Sequence, residues 1–177
     1  MWKRMTQTRK FKLILAEKPE AAKRIATALG QKVIAYPKKG DLPLFEITRN
    51  AERIKIIAAL GHLYTLKQAG KGWTYPVFNM EWVPKYEVER TARMNRPLIE
   101  KIRELAWEAD AIIVATDYDV EGETIAYCIL KYACGRDSLN QAKRMKFSTL
   151  TDKDITEAYE NQLTHIDFRM AQAGEAR

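Results

Sequence analysis

The chain has 177 residues, of which 46% are hydrophobic and 30% are charged, enough for one sizeable core with a small appendage but not for two full domains. Its net charge of +7 favours phosphate backbones or other anionic surfaces as partners. No apolar run is long enough to cross a bilayer, and the basic residues 1–12 precede no signal-peptide core, so we expect a soluble, cytoplasmic protein.

The first half of the chain predicts strands around one helix. Residues 12–16 (KLILA) predict a short buried strand, and a helix follows at once with Pro19 in its first turn. Two extended runs, 32–35 and 44–48, are placed as a hairpin. The apolar run 54–60 predicts a central strand.

The long connection 63–95 predicts an inserted subregion, because it is too long for an ordinary loop in a compact domain. Its aromatic residues lie among lysines: Trp73, Tyr75, Phe78, Trp82 and Tyr86. Such rings are able to stack on the bases of a single strand, but aromatics at this density more often pack an insertion onto its domain. We favour packing.

The second half alternates helices and strands. An amphipathic helix after Pro97 leads to residues 111–115 (AIIVA), which predict a strand buried on both faces, as in a parallel sheet. A helix, a basic alternating run at 142–147 and a helix capped by Thr151 follow. This order indicates an α/β fold with a central, mostly parallel sheet flanked by helices.

The two cysteines of the chain are Cys128 and Cys134. Their spacing suits neither a CxxC metal knuckle nor a disulfide scaffold. We therefore predict two reduced thiols with a structural role.

An acidic motif follows the second buried strand. Asp117 and Asp119 are two residues apart in extended backbone, so their side chains project the same way, and Glu121 joins them from the helix start. Three adjacent carboxylates repel one another, which raises a pKa or calls for a cation, and their hard oxygen ligands suit Mg²⁺. Alternatively, Glu121 and Glu123 in the first turn complement the helix dipole, and the two aspartates are turn residues.

A second motif, Glu17-Lys18, follows the first strand, where open α/β sheets carry functional groups. If the two strands are neighbours, Glu17 meets the acids; a raised pKa would then keep it protonated as a general acid, with Lys18 neutralising a transferring phosphoryl group. The alternative is a helix N-terminal acid beside a solvated lysine. His62, after the strand 54–60, either contacts phosphate at the same site or hydrogen-bonds to backbone.

With these residues identified, the sequence resembles the Toprim domain shared by type IA and type II topoisomerases, bacterial primases and some nucleases. Details similar to the type IA enzymes occur in that family's order: AEKP at 16–19, GHLYTL at 61–66, TDYDVEGETIA at 116–126, KFSTLT at 146–151 and FRMAQAGEAR at 168–177. The resemblance covers essentially the whole chain. Lys18 resembles the topoisomerase III and archaeal branch.

The resemblance implies a Toprim, Rossmann-like fold and a role for each site residue. Asp117, Asp119 and Glu121, together with Glu17, would hold Mg²⁺, and Glu17 would act as general acid toward the leaving 3′ oxygen. Lys18 would stabilise the transition state. The chain departs from the family at residue 120, where valine replaces the usual arginine, so a basic contact is missing there.

The resemblance also implies partners. Single-stranded DNA would contact Lys18 and His62, and a tyrosine supplied elsewhere in the same polypeptide would form a 5′-phosphotyrosine. We expect a Toprim domain over 1–160, with the insertion at about 63–95, and the truncated start of a helical domain over 161–177. A fragment of this kind would be cytoplasmic, nucleoid-associated, part of a DNA-relaxing isomerase, and inactive in cleavage alone.

Two other functions remain open. One is a Toprim nuclease or primase-like protein in which Mg²⁺ activates water or orients a nucleotide. The other is a non-catalytic, basic nucleic-acid-binding module with structural acids, whose binding would fall steeply with salt but ignore Mg²⁺. A metal titration separates this module from both enzymes.

Overall fold

The computed structural model describes residues 11–35, 42–70 and 79–176. Within these ranges the strands are β1 Lys12–Ala16, β2 Lys32–Ala35, β3 Leu44–Arg49, β4 Glu52–Ala58, β5 Tyr64–Gln68, β6 Met80–Pro84, β7 Ala111–Ala115 and β8 Lys143–Arg144. The α-helices are α1 Pro19–Leu29, α2 Asn95–Glu108, α3 Val120–Cys128, α4 Arg136–Gln141, α5 Asp152–Glu160 and α6 Phe168–Glu175. A π-helical segment, Ile129–Cys134, continues α3.

The main sheet has six strands in the order β2-β3-β4-β1-β7-β8. The central strand β1 runs parallel to β4 on one side and to β7 on the other, and β8 runs parallel to β7. The strands β2, β3 and β4 pair antiparallel. The predicted α/β class, mostly parallel sheet and β2–β3 hairpin are therefore confirmed.

The two faces of the central strand β1 contribute to two separate cores. Leu13 and Leu15 belong to the core shared with α2 and α3, whereas Ile14 and Ala16 belong to the core shared with α1 and α5. Successive side chains of a strand alternate between faces, so a strand covered by helices on both sides must be apolar throughout. This double burial explains the continuous apolar sequence of β1 and β7.

The basic alternating run at 142–147 contains a strand of two residues, β8. Only Lys143–Arg144 pair with β7. The backbone of Arg144 also exchanges hydrogen bonds of 2.9 and 2.8 Å with Leu163, while the Met145 N–H still donates to the Val114 carbonyl. The other side of this short strand is paired with the loop between α5 and α6.

Within the predicted insertion, β5 and β6 form a separate two-stranded antiparallel sheet. Trp82 and Tyr86 pack against the core that α2 and α3 share, as predicted. The other three aromatics of the prediction, Trp73, Tyr75 and Phe78, lie outside the described residues. The boundaries of the insertion stay a prediction.

The last helix, α6, packs along α3, and its Gly174 lies against the Thr124 side chain. It begins at Phe168, because Asp167 Oδ1 accepts the backbone N–H groups of Arg169 and Met170 and so caps the helix. Whether residues 161–177 open a further domain stays a prediction. In the described ranges, no helix has the length and apolar character needed to cross a membrane.

Both thiols are free, with Cys128 buried and Cys134 half-buried. Burial raises the pKa of each thiol to about 12. A thiol with that pKa is roughly one part in ten thousand thiolate at pH 8, and the thiolate is the nucleophile.

Cys128 is therefore expected to resist alkylation. In a Cys134→Ser background, we expect iodoacetamide at pH 8 to modify Cys128 at least a hundredfold more slowly in the native chain than in urea, as measured by mass spectrometry. Equal rates in the two states would contradict the burial of this thiol.

Candidate active site

Three adjacent parallel strands end at one edge of the main sheet. Glu17 directly follows β1, His62 lies four residues after the end of β4, and Asp117 lies two residues after the end of β7. Because β1 pairs with both β4 and β7, the carboxyl ends of the three strands are neighbours. The prediction that Glu17 meets the acidic motif required β1 and β7 to be neighbours. The structure shows that these two strands are paired.

Lys18 joins the two acidic motifs. Its Nζ lies 3.1 Å from Glu17 Oε1 and 2.9 Å from Asp117 Oδ2. Hydrogen bonds to Asp117 and then to Glu17 raise the pKa of the Lys18 ammonium. Glu17 itself is buried, and its Oε2 accepts the Asp117 backbone N–H at 3.4 Å. A protein cation thus lies between the two carboxylates and offsets their repulsion.

The other two acids have different partners. Asp119 is the N-cap of α3, and its Oδ1 accepts the Gly122 N–H at 2.8 Å. Glu121 Oε2 lies 2.9 Å from His62 Nε2. In this conformation Asp119 caps α3, whereas the Asp117 carboxylate contacts Lys18 at the site.

An unusual turn presents His62. Leu60 and Gly61 both have left-handed backbone, with φ of 58° and 84°, and they reverse the chain directly after β4. The Gly61 N–H points to the Glu17 carbonyl at 3.4 Å. His62 contacts an acid of the site in this arrangement.

No three side chains of His, Cys, Asp or Glu within 11–35, 42–70 and 79–176 already converge as metal ligands. The chemistry of the donors nevertheless fits a divalent cation, because adjacent carboxylates at strand ends are the ligands that Mg²⁺ prefers. The Lys18 ammonium occupies the cation position between Glu17 and Asp117, and its side chain is 61% exposed, so it is free to rotate away. The donor set therefore fits a metal once the lysine releases the two acids.

A buried ion pair holds the backbone of Asp117 in place. Arg144 and Glu123 have no exposed side-chain surface, and Arg144 Nε lies 2.6 Å from Glu123 Oε1. The guanidinium also donates to the carbonyls of Met145 at 2.6 Å and Asp117 at 3.0 Å. Glu123 Oε2 accepts the Asp167 N–H at 3.1 Å. The pair fixes the backbone of Asp117 and joins it to the start of α6.

Arg144 and Glu123 are absent from the predicted site. The basic run 142–147 contains a pattern that indicates a buried Arg144. Its alternation puts Arg144 on the same face as Ala142, which is buried. An arginine on a buried face needs a carboxylate partner. The sequence alone does not say which of the neighbouring acids supplies it.

Comparison with known proteins gives a consistent family. Residues 12–150 match the family model described as the Toprim domain. The chain is 44% identical over 165 residues to DNA topoisomerase 1 of Pyrococcus horikoshii, covering 93% of this chain and 24% of that protein. It is 43% identical over 168 residues to DNA topoisomerase 1 of Methanocaldococcus jannaschii, covering 93% of this chain and 21% of that protein.

A solved structure agrees with the sequence comparisons. The fold is similar to that of full-length topoisomerase I from Thermotoga maritima, with a TM-score of 0.62 and 25% sequence identity. The match covers 93% of this chain and 23% of that chain. The chain thus spans about a quarter or less of the length of these relatives.

Proposed function

Since the chain belongs to the Toprim domain family, we propose that it is the phosphoryl-transfer part of a type IA DNA topoisomerase. Such an isomerase relaxes DNA by transient cleavage and rejoining of one strand through a 5′-phosphotyrosine. The observation that carries the proposal is the meeting of Glu17, Lys18 and Asp117 at the ends of adjacent parallel strands. The similarity to proteins named DNA topoisomerase 1 favours this function over a Toprim nuclease or primase.

The proposed mechanism gives each side chain of the site a task. Glu17, buried at the strand end, is the general acid that donates a proton to the departing 3′ oxygen of the DNA strand. Asp117, Asp119 and Glu121, with Glu17, would hold Mg²⁺, which neutralises negative charge on the phosphate when bound. The nucleophilic tyrosine belongs to another part of the same polypeptide.

Lys18 has two positions in this mechanism. Between the acids it compensates their charge, as in the present conformation. When a DNA phosphate enters, the exposed ammonium turns from the carboxylates to the phosphate and stabilises the charge of the transition state. His62 is proposed to contact the DNA backbone after leaving Glu121.

The proposed partners are a single-stranded segment of DNA and the remaining domains of the same polypeptide. The net charge of +7 supports an anionic partner. A cytoplasmic location at the nucleoid follows from the proposed substrate.

The proposal is tested by calorimetric titration of Mg²⁺ and Mn²⁺ into the chain at low salt and neutral pH. We expect the variant Asp117→Asn, Asp119→Asn to lose at least about tenfold in affinity, because two of the oxygen ligands lose their charge. An equal metal affinity in the unmodified chain and in this variant would favour a nucleic-acid-binding module with structural acids.

The matched control is Asp110→Asn, Asp137→Asn. It removes the same number of charges from two exposed positions, one directly before β7, at the opposite end of that strand from the site, and one in the first turn of α4. We expect the control to bind both metals as the unmodified chain does. An equal loss in the control would mean that net charge, rather than a site, governs metal binding.

A further inference from the structure

A cleft of about 660 Å³ opens directly beside the acidic motif. Tyr118, which lies between Asp117 and Asp119, forms one side, and residues 162–169 form the other. This volume is in the range of sites that hold small organic ligands. The proposed phosphoryl-transfer chemistry uses no residue of the opposite side.

The cleft has aromatic walls. The rings of His165 and Phe168 form a tilted pair with centroids 5.7 Å apart, and Tyr118 also lines the cleft. Planar walls of this kind suit a flat, aromatic ligand such as a nucleobase.

Two basic side chains lie at or near the cleft. Lys146 Nζ lies 4.5 Å from the centroid of the Tyr118 ring, and the Lys146 side chain is exposed. Arg169 is exposed on the other side. Asp167, in contrast, is an acid that lines the cleft, and its negative charge would repel a phosphate there. The distribution of charge therefore favours a nucleobase inside the cleft and the phosphate of the same nucleotide at its opening.

The cleft is preformed rather than assembled by a ligand. Leu163 is held to Arg144 by two backbone hydrogen bonds. The Asp167 N–H donates to the buried Glu123, whose partner Arg144 also holds the Asp117 carbonyl. The cleft and the acidic motif consequently share one rigid support.

We propose that this cleft receives one unstacked base of a single strand, with the adjoining phosphate on Lys146 and Arg169. The inference rests on the proposed function and adds to it a subsite that orients the strand beside the acids. A duplex is excluded, because its bases are stacked and paired and cannot enter. The cleft thus selects single-stranded nucleic acid.

The test uses a short oligodeoxythymidylate in which one residue at a time is replaced by 2-aminopurine. We expect one position to show strong fluorescence quenching on binding the chain at low salt. The variant His165→Ala, Phe168→Leu should abolish that quenching and weaken binding about 5- to 100-fold, as for loss of base stacking on aromatic side chains. Leucine keeps the apolar contact that Phe168 makes with the core.

Two further variants sharpen the test. Trp107→Ala removes a ring that is 81% exposed on α2 and does not line the cleft, and it should leave binding unchanged. Lys146→Gln should reduce the slope of log affinity against log salt by about 0.7, the value for one phosphate contact on a single strand. Thermal unfolding checks that each variant is folded.

Unchanged quenching and affinity in a folded His165→Ala, Phe168→Leu variant would contradict the proposal that the cleft binds a base. A failure of the unmodified chain to bind the oligonucleotide at low salt would contradict it as well. The metal titration separates the two proposals. If Mg²⁺ binding requires Asp117 and Asp119 while the cleft variant binds DNA normally, only the subsite is wrong. The opposite result is that the cleft variant no longer binds DNA, while Mg²⁺ affinity is unchanged in the Asp117→Asn, Asp119→Asn variant. In that case the proposed subsite is supported and the proposed phosphoryl-transfer function is wrong.

Discussion

Arg144→Met is expected to lower the free energy of unfolding by about 3–5 kcal/mol, the usual cost of removing one partner of a buried ion pair. Arg144 is fully buried, and methionine leaves the Glu123 carboxylate in the core without its cation. The carbonyls of Asp117 and Met145 lose a donor as well. Unpaired buried polar groups carry the full cost of their desolvation.

The measurement is urea denaturation followed by circular dichroism. The matched control, Arg96→Met, removes an arginine paired with Glu100 on the exposed face of α2, where the side chain is 67% exposed. Exposed pairs of this kind add little to stability, so the control should unfold near the midpoint of the unmodified chain. Equal midpoints for Arg144→Met and Arg96→Met would contradict the role given to the buried pair.

A double substitution separates the charge from the packing. In Arg144→Met, Glu123→Leu, both charges are gone and two apolar side chains of similar size fill the space, so part of the lost stability should return. The loop between α5 and α6 should remain loosened in this variant, because the Asp167 N–H has lost its acceptor. Hydrogen exchange at Asp167 reports this difference directly.

The sequence predicts the components of the site better than their contacts. The apolar runs of β1 and β7 and the acids after them are local patterns, so strand ends and candidate ligands follow from neighbouring residues alone. The contact of Lys18 with Asp117 joins residues 99 positions apart, and it exists only because β1 and β7 are adjacent in the sheet. No local pattern contains that adjacency.

The buried ion pair of Arg144 and Glu123 is a second contact that the sequence alone does not predict. Glu123 lies in a motif rich in acids, and its sequence surroundings resemble those of the exposed Glu121. The two differ because α3 turns Glu123 toward Arg144 and Glu121 toward His62. Their different surroundings come from the packing of α3 on the sheet and on α6, which the sequence does not contain explicitly.

Gly122→Ala is expected to destabilise the chain by about 3 kcal/mol, although alanine is favoured over glycine in a helix by about 1 kcal/mol. A Cβ at this position would lie far inside van der Waals contact with the Asp117 carbonyl oxygen and within 3.1 Å of the Asp117 backbone nitrogen. The carbonyl cannot move freely, since Arg144 Nη2 holds it at 3.0 Å. Either α3 or the acidic motif must shift.

The shift should also weaken the proposed metal site, so Gly122→Ala is expected to lower Mg²⁺ affinity along with stability. Gly135→Ala is the matched control, because it adds the same methyl group at the other end of the helical segment. There the new Cβ meets nothing within 4 Å, but φ is 98°, so the cost is conformational only. We expect Gly135→Ala to unfold at lower urea concentration with unchanged Mg²⁺ affinity. A Gly122→Ala chain as stable as the unmodified one would show that the approach of α3 to Asp117 is looser than the structure has it, and the acids would then lack the rigid backbone on which their proposed role depends.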